Sequence, residues 1–394
     1  MGIKVGICGT GSFSRNFIPL FKHHPGVDSV VLCDLVEEKL TEAAEQHEID
    51  ETYPGLDVLC DSNVDAIAIF TQNDRHGPQA LQALEAGKHV YSAVPSAITV
   101  EEITALVRKV EETGLIYQIG ETSYYYPCAI YCRNQYDAGA FGRIVFSEAQ
   151  YFHDFDHGLY DVKKWRFGDE WEHYAGIPPL YYPTHSLSLV VSVTGAHVTH
   201  VSAHGVVDEH EDGLFTESNA YANVFSDETV LCKMSDGSST RINEFRRIGH
   251  PGEVSMSMFG TEGSYEEQVD SQIWVTKKRG EFERLNELLS CTTSEVEDET
   301  SDGVVGGDWI YRGESQVHPV DELPREYMTL NNGHKGSHKF LVHEFVTSVS
   351  EGTTPKNNVW QAARYLIPGL IGHESAKAGA ELMEVPDLGS GPTT

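Results

Sequence analysis

Basic residues are scarce in this chain. Lys and Arg number 28 against 60 Asp and Glu in 394 residues, a formal charge of −32. A surface that negative repels phosphate backbones and anionic lipid, which argues against nucleic-acid and peripheral-membrane roles. Long apolar runs are missing as well. No stretch nears the roughly 18 residues that a membrane span needs, and no basic and apolar leader precedes Ile3. A soluble, cytoplasmic protein is the expectation. Cysteines are few and scattered, at 8, 33, 60, 128, 132, 232 and 291. They form no CxxC pair, their number is odd for a disulfide framework, and no cluster has metal-ligand spacing, so they read as reduced thiols with no metal. Internal repeats are also lacking.

What is present suits a folded core: 40% of residues are apolar and 10% aromatic. The length has room for two or three domains. Residues 3–8 read as a short buried strand, followed at once by Gly9-Thr10-Gly11-Ser12-Phe13-Ser14 and a helical stripe of Phe17, Ile18, Leu20 and Phe21. Val30 to Cys33 forms a second apolar strand, ending at Asp34. Strand, glycine turn, helix, strand and acid make a dinucleotide site. Gly9 permits the tight turn, Gly11 lets a pyrophosphate approach the backbone, and the helix start faces its charge. Asp34 lies 25 residues after Gly9, near the offset of the acid that binds the ribose hydroxyls. Ser14 takes the place of the third glycine and is small enough for close packing. Leu35 and Val36 follow with no base to receive a 2′-phosphate, so NAD is favoured over NADP.

The alternation continues. Strands are expected at 64–70, 89–92 and 115–119, with helices at 78–86 and 100–112 between them. That order implies a parallel, doubly wound sheet whose ligands sit at the carboxyl ends of its strands. The loops at 9–14, 34–36, 71–76, 91–95 and 120–124 are therefore expected to share one crevice.

Thr71, Asn73, His76, Ala86-Gly87-Lys88-His89-Val90 and Pro95, taken with the glycine turn, resemble the glucose–fructose oxidoreductase / inositol dehydrogenase / rhizopine catabolism family (Gfo/Idh/MocA). The resemblance extends to Gly336-Ser337-His338-Lys339-Phe340. It implies a Rossmann domain, 1–122, followed by an α+β domain, 123–394, built on a large, mostly antiparallel open sheet. That second domain would carry a sugar or polyol site and an oligomer interface, giving a homodimer or homotetramer. It also adds Thr71, Asn73, His76, Val94 and Pro95 to the cofactor contacts. One departure stands out. Where the family has Glu-Lys-Pro, with a lysine that polarises the reacting hydroxyl, this chain has Ala93-Val94-Pro95.

A narrower resemblance accounts for the departure. Glu121, Tyr151-Phe152-His153-Asp154 and Tyr182-Pro183-Thr184-His185 look like motifs of the family's NAD-dependent glycosidase branch, of the α-N-acetylgalactosaminidase type. That branch also lacks the lysine. Its members oxidise the sugar at C3, eliminate the leaving group, add water and reduce the ketone again.

In the second domain, alternation along 144–153 puts Tyr151 and His153 on one face, Gln150 and Phe152 on the other. Trp165-Arg166 is placed in a loop. Pro183 to Gly195 reads as a helix with His185 in its first turn, where the dipole favours a neutral imidazole, and Tyr182 stands just before it. The candidate catalytic residues are thus His185, Tyr182, His153, Tyr151 and Glu121. Trp165, Arg166 and His338 are candidates for substrate binding, with Asn243 and Arg246 behind them. Each also has an ordinary reading: a capping or core histidine, aromatic filler, a surface arginine in an ion pair. Strands are expected at 197–204, 220–225, 229–234, 239–245, 254–259, 263–267 and 273–276, with a hairpin turn at Asp236-Gly237. Residues 285–335 show little periodicity; Ser294–Asp302 reads as a solvated acidic loop and Gly303–Gly307 as flexible. Helices follow at 340–349 and 359–380, the second kinked at Pro368.

Two enzyme readings share one first step, hydride transfer from a sugar carbon to nicotinamide. One is a sugar or glycoside dehydrogenase; the other is a glycosidase that recycles NAD. A non-catalytic nicotinamide-binding sensor is a third reading, prompted by the missing lysine.

Overall fold

The computed structural model describes residues 2–291 and 313–392. Ser294–Asp302 and Gly303–Gly307 lie outside the described residues. The chain forms two compact units. One comprises 1–122, 319–363 and 388–394; the other comprises 123–318 and 364–387. Two contiguous stretches were expected; instead the chain returns, and two C-terminal segments complete the first unit.

The first unit holds a parallel sheet of Ile3–Cys8 (β1), Val27–Cys33 (β2), Thr52–Tyr53 (β3), Ala66–Ile69 (β4), His89–Ser92 (β5) and Tyr117–Ile119 (β6). Their order is β3-β2-β1-β4-β5-β6, a doubly wound arrangement that reverses direction at β1. All four residues of β4 are buried, as a strand covered on both faces must be. Registers pair Cys8 with both Cys33 and Ile69, Ile69 with Ser92, and Ser92 with Ile119. The carboxyl ends therefore align, and Gly9, Asp34, Phe70, Ala93 and Gly120 leave the sheet along one edge. The helix Val100–Thr113 starts at a reciprocal cap. Thr99 Oγ1 accepts from the Glu102 N–H at 3.1 Å, and Glu102 Oε2 accepts from the Ile98 N–H at 3.0 Å. Phe17, Phe70, Tyr91 and Phe345 pack ring on ring in the core, with centroids 4.9 Å apart for Phe17–Phe70 and 5.6 Å for Tyr91–Phe345. Tyr327, inside the 285–335 stretch, is buried and donates its hydroxyl to the Leu20 carbonyl at 2.8 Å. That part of the stretch belongs to the core.

The second unit is built on Ile144–Phe152 (β7), Val198–Val207 (β8), Phe225–Met234 (β9), Ser239–Phe245 (β10), Glu253–Gly260 (β11), Gly263–Gln268 (β12), Ser271–Thr276 (β13), Phe282–Arg284 (β14) and Met383–Glu384 (β15). Strand order is β14-β13-β12-β11-β7-β10-β9-β8-β15. Pairing is antiparallel throughout except between β7 and β10. One face is covered by the apolar helix Thr184–Thr194, which packs on β7, β10 and β11. Residues 220–224 are turn and irregular backbone rather than a strand. The cause is Asn219, whose amide donates to the Leu214 and Asn223 carbonyls at 2.9 Å and whose Oδ1 accepts from the Tyr221 and Asn223 N–H groups.

Glu228 on β9 has no exposed surface and meets His373, on the helix Val359–Lys377, with 2.8 Å between Oε1 and Nδ1. Its other oxygen accepts from the Leu180 N–H at 3.0 Å. Removing the imidazole strands a buried carboxylate. His373→Ala is expected to lower unfolding stability by about 3 kcal/mol, read as a shift in the urea midpoint with unchanged slope.

Candidate active site

In the first unit the backbone builds a cradle after β1. Gly9 has φ +94°, and a Cβ there would lie 2.6 Å from the Phe70 carbonyl oxygen, so only glycine fits. Gly11 caps the next turn without a side-chain acceptor, so the turn's first N–H groups are left for an acceptor from elsewhere. Asp34 closes the other side. Its Oδ2 accepts from Thr10 N–H at 2.8 Å and Thr10 Oγ1 at 3.0 Å, and Oδ1 from Val36 N–H at 2.9 Å. Those bonds fix the carboxylate and leave it lone pairs for two ribose hydroxyls. Leu35 is 85% exposed beside it, an apolar surface suited to a purine face. The cradle fits a dinucleotide. Ser14 is buried, with its hydroxyl on the Gly11 carbonyl at 2.8 Å; Ser12 and Phe13 stay half-buried at the rim.

The loops after β4 and β5 are tied together rather than open. His76 is buried, with Nδ1 2.8 Å from the Pro95 carbonyl and Nε2 3.1 Å from the Thr71 carbonyl. The Val94–Pro95 bond is cis. One ring nitrogen of His76 donates to a backbone carbonyl and the other lies against the second, so the ring ties the two loops together. Thr71 donates to Gln79 Oε1 at 2.5 Å, and Asn73 is buried nearby in the same loop. Val94 is half-buried and has no group to titrate. Glu121 follows β6 with no exposed surface. His338, expected at the substrate, is 1% exposed. It stacks on Phe17 at 4.3 Å between centroids, and its Nε2 meets His334 Nδ1 at 2.8 Å. Burial pushes its imidazole well below the ordinary histidine range. His338 therefore positions His334, whose ring lies 5.6 Å from that of Phe13 in the glycine turn.

In the second unit, four predicted rings come together. Tyr151 and His153 share the covered face of β7, and the Tyr151 hydroxyl lies 2.7 Å from His153 Nδ1. The His185 ring stands 5.3 Å from Tyr151 and 5.4 Å from Tyr182, with Tyr151 and Tyr182 6.1 Å apart. The His185 carbonyl accepts from Ser123 Oγ at 2.8 Å, anchoring the first turn of its helix. Burial first, then the cations Arg246, Arg166 and Lys163 and the His185 ring, hold His153 neutral, well below its usual range.

Two of the lesser candidates separate by the pleat. Arg246 lies 4.9 Å over the Tyr151 ring and donates to Glu244 Oε2 at 3.0 Å. Asn243 points to the opposite face, beside Gln150, and accepts from Thr229 Oγ1 at 3.0 Å. It is not at the ring cluster. Trp165 and Arg166 lie in the helix Leu159–Phe167 rather than in a loop; Trp165 is exposed and Arg166 half-buried. Two further buried charges, Glu244 and Lys163, carry no sequence signal. Glu244 takes hydrogen bonds from Ser186 Oγ at 2.5 Å and from Arg246, yet burial still pushes its carboxyl up to about 7. Burial, with Arg166 and Arg246 adding to it, brings the Lys163 ammonium down to about 7. Among the described residues no group of three or more side chains could hold a metal ion, and no helix is long and apolar enough to cross a membrane.

Residues 3–121 match the Gfo/Idh/MocA oxidoreductase family, NAD-binding Rossmann fold. The match covers the front part of the first unit. The matched residues carry the glycine cradle and Asp34 described above, as an NAD-binding Rossmann fold requires. A glycosyl hydrolase family 109 protein of Streptomyces niveus is 25% identical over 423 aligned positions, covering 99% of this chain and 78% of that one. Glycosyl hydrolase family 109 protein 2 of Bacteroides fragilis (strain YCH46) is 31% identical over 50% of this chain and 49% of its own length. Several curated relatives thus match over less than half their length. Among solved structures, levoglucosan dehydrogenase in complex with NADH and levoglucosan aligns with a TM-score of 0.76 at 18% identity, covering 98% of this chain and 100% of that one. Myo-inositol 2-dehydrogenase from Lactobacillus plantarum gives 0.70 at 20% identity, with the same coverage of both chains. At these identities the structural likeness speaks to the fold.

Two outcomes follow from this geometry. Gly9→Ala is expected to abolish the rise in NADH fluorescence on binding and to cost about 1–3 kcal/mol of stability through the forced φ and the Phe70 clash. Glu244 keeps its proton in the folded chain after the unfolded chain has lost it, so its contribution to stability is full below about 4.5 and is lost as pH rises through about 7. Urea unfolding at about pH 5 and about pH 8 should show a larger loss in the native chain than in Glu244→Gln, by on the order of 3 kcal/mol.

Proposed function

We propose that this protein oxidises a sugar or glycoside, with the Tyr151, His153, Tyr182 and His185 rings as its acid–base groups. The observation that carries the reading is the 2.7 Å contact between the Tyr151 hydroxyl and His153 Nδ1, with the His185 ring 5.3 Å from Tyr151. Bound NAD supplies the hydride acceptor, in the cradle of Gly9, Thr10, Gly11 and Asp34. His185 takes the proton of the reacting hydroxyl as the carbon–hydrogen bond breaks, the task that Val94 cannot perform. Tyr182 steadies that hydroxyl. Arg246, fixed by Glu244, holds the Tyr151 ring in place and lowers the cost of a tyrosinate.

A second reading is supported by the family 109 relatives, one of which aligns with nearly the whole chain. In redox-neutral glycoside cleavage, oxidation at C3 acidifies the C2 hydrogen. Tyr151, held by its contact with His153 and deprotonated, removes that hydrogen. The C2–H electrons form the C1–C2 double bond as the C1–O bond breaks, and the departing alcohol takes a proton. The phenol–imidazole pair thus does work that a simple dehydrogenase does not require.

A homodimer or homotetramer belongs to the same proposal. The outer face of the second sheet supports it, with exposed Leu231 and the paired rings Phe146–Phe259 and Phe152–Phe245. Cytoplasmic residence is supported by seven free cysteines, six of them buried.

The test is direct. Purified protein is incubated with nitrophenyl glycosides, and separately with free sugars and NAD. NADH formed in proportion to sugar oxidised supports the dehydrogenase. Nitrophenol released with no net NADH supports the redox-neutral enzyme. Silence from both, with NADH still bound, overturns catalysis and leaves a sensor. His185→Ala is expected to cut turnover by at least ~100-fold while NADH fluorescence titration is unchanged; undiminished turnover removes His185 from the reaction.

A further inference from the structure

Lys163 sits in the helix Leu159–Phe167 and is 5% exposed. Its nearest recorded partner is the Phe167 ring, 5.8 Å from Nζ. Among the described residues no hydrogen bond or ion pair reaches either Lys163 or Arg166. His153 Nε2 is likewise buried without a partner. All three belong to one electrostatic group, since Arg166, Lys163 and Arg246 each act on His153, and Arg166 and Arg246 each act on Lys163.

This is anomalous in a chain with 60 acidic and 28 basic residues. An acid for every cation is plentiful, and buried cations are ordinarily paired. Four carboxylates of this unit are committed elsewhere. Glu244 is held by Arg246 and Ser186. Asp227 accepts from the Arg246 and Arg247 N–H groups at 2.8 and 3.0 Å and from Ser226 Oγ at 2.7 Å. Asp154 accepts from the Asp156 and Ile248 N–H groups at 2.8 and 2.6 Å. Asp212 pairs with Arg247. Among the described residues neither cation has an ion-pair partner, and both act on His153, the partner of the Tyr151 hydroxyl. Gathering like charges in low dielectric is unfavourable unless a ligand supplies the opposite charge.

We infer that the carbohydrate taken by this site bears an anionic group, a carboxylate or a phosphate, bound by Lys163 and Arg166 with His153 Nε2 at its edge. The inference rests on the reading of the Tyr151–His153 cluster as the substrate site, and it names the substrate class. A carboxylate or phosphate oxygen accepts from the Lys163 ammonium and from the planar guanidinium of Arg166, making charge-assisted hydrogen bonds. A neutral hexose offers only hydroxyls there and supplies no charge to hold the Lys163 proton in place.

Calorimetry on the NAD-loaded full chain tests this with matched probes. Glucose, galactose and mannose are each compared with the corresponding uronate and 6-phosphate. At least one anionic probe is expected to bind about tenfold or more tighter than its neutral parent. Uronate against 6-phosphate distinguishes the two sources of the charge. Lys163→Met and Arg166→Gln are each expected to bring that ratio close to one, while Lys163→Arg retains it. Lys163→Met removes a buried charge and is expected to melt no lower than the native chain, so loss of the ratio is separable from unfolding. Equal binding of neutral and anionic probes, or a preference that survives both substitutions, overturns the inference and leaves the carbohydrate reading intact. A Lys163-dependent preference with neither NADH formation nor glycoside cleavage overturns the reading and keeps the anion site. A fall in NADH affinity in both variants, with the probe ratio unmoved, assigns the cations to the cofactor and also overturns the inference.

Discussion

The pleat of β7 is the constraint on which the candidate site depends. Successive side chains of a strand point to opposite faces, so Tyr151 and His153 must project together once the strand is laid down. The neighbours of β7 fix the rest. Parallel pairing with β10 sets Glu244 beside Tyr151 on the same covered face and sends Asn243 to the other with Gln150. A slip of one residue in that register would exchange a hydrogen-bonded acid–base pair for an amide and a phenylalanine. The site is therefore as secure as the sheet beneath it. Its acid–base groups stand on a strand in the middle of nine and on the first turn of a fully packed helix, not on movable loops.

The front unit uses a different device for a similar end. Its strands end in register, so the loops that follow begin along one line. What distinguishes those loops is how each is fastened. Asp34 ties back to Thr10, and His76 clamps the turn at Pro95 to the turn at Thr71. A cradle restrained in this way loses little entropy when a flexible dinucleotide settles into it.

Much of this was legible from the chain alone, for identifiable reasons. Glycine at φ +94° and an acid at the end of β2 are local necessities, and local necessities leave local signals. Alternation exposed the pairing of Tyr151 with His153. Three things stayed hidden. The helix Leu159–Phe167 reads as a loop because one of the positions it buries is a lysine, which breaks the apolar stripe by which helices are recognised. Glu244 is hidden for the same reason, as a charge on the inner face of a strand. His76 and His338 looked available for ligands, since neither the backbone carbonyls that occupy one ring nor the packing that encloses the other can be read from a one-dimensional order. Residues 220–224 resemble a strand in composition, but the Asn219 amide captures the carbonyls that a ladder would need.

The unpaired cations that act on His153 have a kinetic corollary. A negatively charged ligand diffusing toward a molecule with a formal charge of −32 meets a repulsive field long before it reaches Lys163. Dissolved ions collapse that field beyond roughly 10 Å at about 0.1 M, yet they screen a contact enclosed by protein far less. For this protein, brine would speed capture of such a ligand while leaving its hold on it largely intact, the reverse of the usual behaviour of a cationic pocket on a cationic surface.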